Sequence, residues 1–103
     1  MKRIIAGLRY DTEKAVRVAE VGSSTDSVTD FNYWSAGLYR TPNGRWFLSG
    51  KGGGMTMFAE SVGGGGSRGG SGIIPINGWE AQEHLEREGN TDALDQWFDI
   101  EEA

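Results

Sequence analysis

The segment 31–50 places the strongest constraint on how this chain can fold. Two aromatic-rich apolar runs flank a Thr-Pro-Asn-Gly sequence, and proline, asparagine and glycine in that order favour a type I turn closed by a left-handed residue. We therefore expect a β-hairpin with Tyr39 opposite Phe47 and Leu38 opposite Leu48. These two pairs lie on opposite faces because side chains alternate along a strand. The hairpin is thus either covered on both sides or keeps one aromatic face open as a contact surface.

The residues before this hairpin predict a strand and a helix. Residues 2–10 are short, apolar and β-branched in the middle, which indicates a strand. Asp11 or Thr12 then offers an N-cap for a helix over 13–21, whose small and apolar residues share one face at helical spacing. The polar, turn-rich residues 23–30 predict a loop.

Eleven glycines lie between positions 50 and 72. The run is interrupted at 55–59, which we interpret as a short third strand or a packed turn. Residues 63–72 predict a flexible, mobile surface loop, because glycine loses the most backbone entropy on ordering. A short strand then follows at 73–76, where Pro75 suits an edge position. No helix follows the glycine run, so the sequence does not predict a phosphate-binding loop.

The last quarter of the chain predicts two helices. Asn77 is a suitable N-cap with Glu80 three residues later, a variant of the capping box, for a helix over 78–88 that Gly89 ends. A second, shorter helix is expected over 92–99. The apolar residues expected to pack both helices on the sheet are Trp79, Leu85, Leu94, Trp97 and Phe98.

Length and composition set the class of protein. A chain of 103 residues forms one domain, here 1–103, with a core of its own. We predict an α+β fold: a small antiparallel sheet with a central hairpin, one N-terminal helix and two acidic C-terminal helices. Cysteine is absent, so no disulfide is expected. The apolar N-terminal run stops at Arg9, too early for a signal peptide, and no run approaches the ~20 residues of a membrane span. We therefore expect a cytoplasmic protein.

Charge is divided unevenly along the chain. Residues 80–103 carry nine carboxylates against Arg87 alone, a net charge of −8, whereas residues 1–79 carry nine cations against six carboxylates, a net charge of +3. Carboxylates displayed on two helices would imitate nucleic-acid phosphates and fit the basic groove of another protein. An acidic surface that only confers solubility has the same composition. The candidate partner-binding residues are Glu80, Glu83, Glu86, Glu88, Asp92, Asp95 and Asp99.

No set of residues in the sequence predicts catalysis. His84 is the only histidine and lies four residues from both Glu80 and Glu88, but a metal site needs three or four convergent ligands. We interpret it as a solvated surface residue. A catalytic triad cannot be assembled without a second histidine or a cysteine. We therefore expect a protein that is not an enzyme, with no cofactor and no metal.

Two alternatives use the central hairpin instead of the acidic helices. Arginines around its aromatic side chains would suit single-stranded nucleic acid, although a net charge of −5 opposes binding to a polyanion unless the basic face is well segregated. An uncovered hairpin face could also form a homodimer. The residues of the nucleic-acid alternative are Tyr33, Tyr39, Arg40, Arg45, Phe47 and Arg68.

Several segments resemble one group of small proteins. Residues 2–15 are similar to the opening of small uncharacterised proteins of bacterial phages and integrative elements, which reads roughly Lys-x-Ile-x-Gly-x-x-Tyr-Asp-Thr-x-x-Ala. The resemblance continues at 38–41, 44–48, 50–53, 59–61, 74–76 and 80–81, while 63–72 is richer in glycine than the group's pattern. Some members resemble anti-CRISPR proteins. The resemblance implies an inhibitor of a host defence system that acts in the bacterial cytoplasm, with a CRISPR effector as its partner. No membrane partner is expected, because anionic lipid would repel the acidic helices.

Overall fold

The structure is a computed structural model that describes residues 1–23, 31–61 and 63–103. These residues form an α+β domain of antiparallel strands and two helices, with a short 3₁₀ segment between β6 and β7. The elements are β1 (Lys2–Ile5), β2 (Leu8–Asp11), β3 (Val16–Gly22), β4 (Trp34–Arg40), β5 (Trp46–Gly52), β6 (Glu60–Ser61), β7 (Ser67–Arg68), β8 (Gly70–Ile76), α1 (Gly78–Glu88) and α2 (Thr91–Trp97).

The predicted hairpin is confirmed and forms the centre of the main sheet. Strands β4 and β5 pair with Tyr39 opposite Phe47 and Leu38 opposite Leu48. The connecting turn has Gly44 at φ 83°, the left-handed position that its sequence indicated. On either side, β3 pairs with β4 and β8 pairs with β5, so the strand order is β3-β4-β5-β8.

The aromatic residues of the hairpin are covered on both faces of this sheet, which decides between its two options. Another part of the second face, around Ser35, Ser49 and Lys51, lines an open cavity. On one face Leu38 and Leu48 pack in a buried cluster with Leu85 of α1. On the other, Phe47 stacks on Tyr39 with ring centroids 5.1 Å apart and meets Tyr10 of β2 edge-on at 5.5 Å. The helices therefore form one outer layer of the described fold and the β1–β2 hairpin forms the other.

The prediction of one strand over residues 2–10 is wrong at its middle. The chain turns back at Ala6 and Gly7, both with positive φ, and β1 pairs with β2 as a hairpin. Positive φ at both central residues is the geometry of a type I′ turn. The turn was missed because its first position is alanine rather than asparagine or aspartate.

The N-terminal helix predicted over 13–21 is also wrong. Asp11 does act as a local cap, since its side chain accepts a hydrogen bond from the Glu13 backbone at 2.9 Å, but only one turn forms. From Val16 onward the chain is β3, paired with β4 across an irregular register. Valine is stiff at χ1 and favours a pleated strand, and here pairing with β4 overrides the helical spacing.

The glycine-rich region contains regular structure where a loop was predicted. Strand β7 pairs with β6, and β8 begins at Gly70. A Cβ at Gly70 would lie 2.6 Å from the Phe58 carbonyl oxygen, so close backbone approach accounts for that glycine. The interruption at 55–59 is a packed turn with Phe58 buried. Pro75 lies in β8 at the edge of the sheet, as predicted.

The two helices follow β8. The Asn77 side chain accepts from the Glu80 backbone at 2.8 Å and the Glu80 carboxylate accepts from the Asn77 backbone at 3.1 Å, so the capping box forms. Gly89 ends α1 in the left-handed conformation. Helix α2 is shorter than expected, ending at Trp97. Neither helix is long and apolar enough to cross a bilayer.

The loop expected at 23–30 lies outside the described residues from position 24 onward.

Candidate protein-binding face

The outer surface of α1 and α2 carries the candidate partner-binding residues. We call this surface the acidic ridge. Glu83 is partly buried, and the other six carboxylates are exposed. Asp99 follows the end of α2 and extends the ridge toward the C-terminus. The residues of the acidic ridge are Glu80, Glu83, Glu86, Glu88, Asp92, Asp95 and Asp99.

Two buried residues set the orientation of α1. Ala81 and Leu85 are fully buried and lie four residues apart, so they define the side of the helix that faces the sheet. Glu83 is two residues from each of them and Glu86 is five from Ala81, spacings that place both carboxylates on the solvent side at 100° per residue. The same core contact that docks the helix therefore turns Glu83 and Glu86 outward. Glu88 lies on the sheet side of the helix, three residues after Leu85, and is exposed at the end of α1.

Helix α2 is oriented in the same manner. Asn90 caps it by accepting a hydrogen bond from the Ala93 backbone at 3.1 Å, and Ala93 is buried. Trp97 packs edge-on against Trp46 at 6.2 Å between ring centroids. Asp92 and Asp95, one turn apart, are left exposed on the other side.

The ridge is only slightly neutralised by its own surroundings. Glu83 forms an ion pair with Arg87 one turn later, and Glu86 accepts a hydrogen bond from the Gln82 amide at 3.2 Å. No other ridge carboxylate forms an ion pair within the described residues. The ridge is therefore strongly anionic, since Arg87 is its one cation.

Trp79 lies on the ridge and not in the core, so its predicted packing role is wrong. Its side chain is 71% exposed. Trp79 is three or four residues from Gln82 and Glu83 and seven from Glu86, so the four side chains share one side of α1. Its spacing of two residues from Ala81 and six from Leu85 is the sequence signal that places it opposite the buried face. Single exposed apolar residues are common on protein surfaces, but tryptophan is enriched among the residues that dominate binding energy in interfaces.

His84 is half-buried rather than solvated. Its ring meets Trp34 edge-on with centroids 5.5 Å apart. Desolvation and the nearby Arg87 guanidinium lower the pKa of His84 below 6.5, although Glu83, Glu80 and Glu88 act in the opposite direction. At neutral pH the imidazole is therefore uncharged and does not neutralise the ridge. Among the described residues no three His, Asp or Glu side chains converge as a metal site.

The structure does not assemble the residues of the nucleic-acid alternative into a stacking platform. Phe47 is fully buried, and the neighbouring Tyr39 is partly buried and stacked on it. A base therefore cannot stack on Phe47 without opening the core, which removes the central residue of that alternative.

The remaining residues of that alternative are dispersed. The Arg40 guanidinium lies over the rings of Trp46 and Trp97, 5.4 Å and 5.3 Å from their centroids, and so contributes to docking α2. Arg68 pairs with Glu60 at 3.2 Å. Tyr33 and Arg45 line separate cavities.

Comparisons of the chain with protein-family models, with curated protein sequences and with solved structures found no match.

Proposed function

We propose that the protein is a non-enzymatic inhibitor that binds, through the acidic ridge, to a basic nucleic-acid channel of another protein. The observation that carries the proposal is the exposed Trp79 beside the carboxylates of α1. Carboxylates alone suit a solubilising surface equally well. A tryptophan left in water costs free energy and contributes nothing to solubility, whereas in an interface it is the residue type most often found as a binding hot spot.

The spacing of the carboxylates supports a resemblance to a nucleic-acid strand. Helices α1 and α2 contain 11 and seven residues, or about 27 Å of helix axis at 1.5 Å per residue. The six carboxylates within them lie at one per ~4.5 Å, against one phosphate per ~3.4 Å along a DNA strand. Arg87 pairs with one of these carboxylates, so the net linear charge density along the two helices is about three fifths of that of a strand.

The ridge carboxylates and Trp79 have different roles in the proposed complex. The exposed carboxylates accelerate association with a basic channel, because electrostatic steering acts before contact. Trp79 enters an apolar recess of the partner and slows dissociation, because a buried aromatic contact exists only in the complex. Bound in this way, the inhibitor occupies the path of the nucleic acid and needs no chemical step.

The resemblance to phage and integrative-element proteins supplies the proposed target. Inhibitors encoded by such elements act on host defence, and a CRISPR effector holds its nucleic acids in a positively charged channel. We therefore propose a guide-loaded CRISPR effector of the bacterial host as the partner.

The test is binding of labelled target DNA by purified guide-loaded effector complexes of each CRISPR type in the host. The wild-type protein should block DNA binding by one of them. Glu83→Gln/Glu86→Gln/Asp92→Asn/Asp95→Asn should slow association, and Trp79→Ala should accelerate dissociation by about 30-fold, the equivalent of a ~2 kcal/mol hot spot.

Matched variants control for net charge and for loss of an aromatic side chain. Asp11→Asn/Glu13→Gln/Glu20→Gln/Glu60→Gln removes the same four charges away from the ridge. Phe31→Ala removes an equally exposed aromatic ring, 72% accessible. Both should inhibit like the wild type. Failure of the wild type to inhibit any complex would overturn the CRISPR assignment, and equal effects of ridge and control variants would overturn the role of the ridge.

A further inference from the structure

The face opposite the acidic ridge carries a continuous group of cations. They lie on the β1–β2 hairpin, in the turn that follows it and at the end of the β4–β5 turn. We call this group the basic strip. All five side chains belong to exposed residues. The residues of the basic strip are Lys2, Arg3, Arg9, Lys14 and Arg45.

Two neighbouring cavities share the same arginine. Arg9, Lys14 and Arg45 line a cavity of about 260 Å³ between the β1–β2 hairpin and the β4–β5 turn. Arg9 also lines a second cavity, of about 400 Å³, together with Lys2 and Arg3. The smaller cavity has the liquid volume of about nine water molecules, enough for a tetrahedral anion and part of its hydration shell.

The cations of the strip have no anionic partners among the described residues. The ion pairs found there join Arg17 to Glu20, Arg68 to Glu60 and Arg87 to Glu83, and none includes a strip residue. Asp11 also lines the smaller cavity, but one of its carboxylate oxygens accepts a hydrogen bond from the Glu13 backbone at 2.9 Å. Three cations against one carboxylate leave that cavity with a net positive charge.

The acidic ridge cancels only part of this charge at physiological salt. The β1–β2 hairpin and the helices cover opposite faces of the main sheet. Each packed layer adds about 10 Å, so the cations of the hairpin and of the turn after it are separated from the ridge by roughly 20 Å, more than two Debye lengths at ~0.15 M ionic strength. Arg45 is the exception, because it lines a further cavity together with Glu80 of the ridge. The segregated basic face that an acidic protein needs in order to bind a polyanion is therefore formed by Lys2, Arg3, Arg9 and Lys14.

We propose that the basic strip binds the phosphodiester backbone of a single-stranded nucleic acid, with one phosphate between Arg9, Lys14 and Arg45. The contact is to phosphate and uses no aromatic platform, so it differs from the stacking alternative that the buried Phe47 removes. Two of its three cations, Arg9 and Lys14, lie across the sheet from the acidic ridge.

The extent of the strip favours a nucleic acid over a free phosphate. Strands of four residues are about 13 Å long, which is more than a single phosphate group can occupy. The two cavities joined at Arg9 therefore offer successive phosphate positions. A free phosphate would use one of them only.

The test is a fluorescence anisotropy titration of the full chain with a labelled single-stranded DNA of about 20 nucleotides, at several salt concentrations. The wild type should bind with an affinity that falls as salt rises. Arg9→Gln/Lys14→Gln/Arg45→Gln should bind at least tenfold more weakly. The slope of log affinity against log salt should decrease by ~0.7, since the variant loses the one phosphate contact that these three residues make and each contact contributes ~0.7 for single strands.

The control variant Arg17→Gln/Lys51→Gln/Arg68→Gln removes the same three charges outside the strip and should keep wild-type affinity within about twofold. An equal loss in both variants would overturn the proposal, because net charge alone would then explain binding. Absence of oligonucleotide binding by the wild type would also overturn the proposal. This holds if inorganic tripolyphosphate binds instead, and also if sedimentation shows that the strip pairs with the ridge of a second copy. Circular dichroism of each variant establishes that it is folded before its affinity is compared.

Discussion

Gly50→Ala should destabilise the folded protein, because a Cβ at Gly50 would lie very close to backbone atoms of the neighbouring strand β4. Gly50 lies in β5 opposite Ala36 of β4 and Gly72 of β8. A Cβ at this position would be 2.1 Å from the Ser35 carbonyl oxygen and 2.5 Å from the Ala36 Cα. Both contacts are to backbone, so no side-chain rotation can relieve them.

The magnitude follows from the displacement that the new methyl group requires. Normal carbon contacts begin near ~3.5 Å, so β4 and β5 must separate locally by about 1 Å and weaken their hydrogen bonds there. Inserting a methyl group into a packed site costs about 1–3 kcal/mol, and backbone contacts place this site at the upper end, ~3 kcal/mol. The loss is a large share of the ~5–15 kcal/mol that stabilises a domain.

Gly63→Ala is the matched control. A Cβ at Gly63 would meet nothing within 4 Å, and its backbone is outside the left-handed region. Both substitutions reduce the entropy of the unfolded chain by a similar amount, so the difference between them isolates the clash in the folded state. Urea unfolding should show a midpoint lower by about 1–3 M for Gly50→Ala than for Gly63→Ala, at a slope of ~1–3 kcal/mol per molar. Free energies of unfolding that differ by less than the ~0.5 kcal/mol expected of an uninvolved site would refute the close approach of β4 and β5.

Two further predictions concern the docking of the helices. His84→Gln should make the stability of the protein less sensitive to acid. The pKa of His84 is lowered in the folded protein, so the unfolded chain binds the proton first as pH falls below ~6.5. Wild-type urea midpoints should therefore fall more between pH ~7.5 and ~5.5 than those of the variant, and equal falls would contradict this. Arg40→Met should lose the two cation–π contacts to Trp46 and Trp97, which together contribute about 1–2 kcal/mol to stability. Its Tm should fall by about 4–8 °C per kcal/mol lost, whereas Arg45→Met should leave Tm nearly unchanged. Equal Tm values for both variants would count against Arg40 as a docking contact.

The parts of the fold that sequence could predict are those set by local backbone chemistry. The β4–β5 register follows from proline, asparagine and Gly44 at their turn positions, and the start of α1 follows from Asn77 and Glu80. In each case a few neighbouring residues determine both the conformation and its hydrogen bonds. The β4–β5 register and the start of α1 could therefore be predicted without knowledge of tertiary contacts.

The errors occur where distant contacts decide between two local options. Residues around Val16 have helical spacing and strand propensity together, and pairing with β4 selects the strand. Gly70 was predicted to lie in a flexible loop because the local sequence does not show its close contact with Phe58, which lies 12 positions earlier in the chain. In the candidate site, the carboxylates were visible in the sequence, but the place of Trp79 depends on which residues of α1 are buried.

The most direct test of the central claim is the association rate constant of the protein with the effector complex that it inhibits. It should be measured at ~0.01 M and ~0.15 M ionic strength, where the Debye lengths are about 30 Å and 8 Å. We predict that the wild-type rate falls steeply between the two, and that Glu83→Gln/Glu86→Gln/Asp92→Asn/Asp95→Asn associates more slowly at low salt with little further dependence on it. Identical rates and salt responses for the two proteins would contradict binding through the acidic ridge.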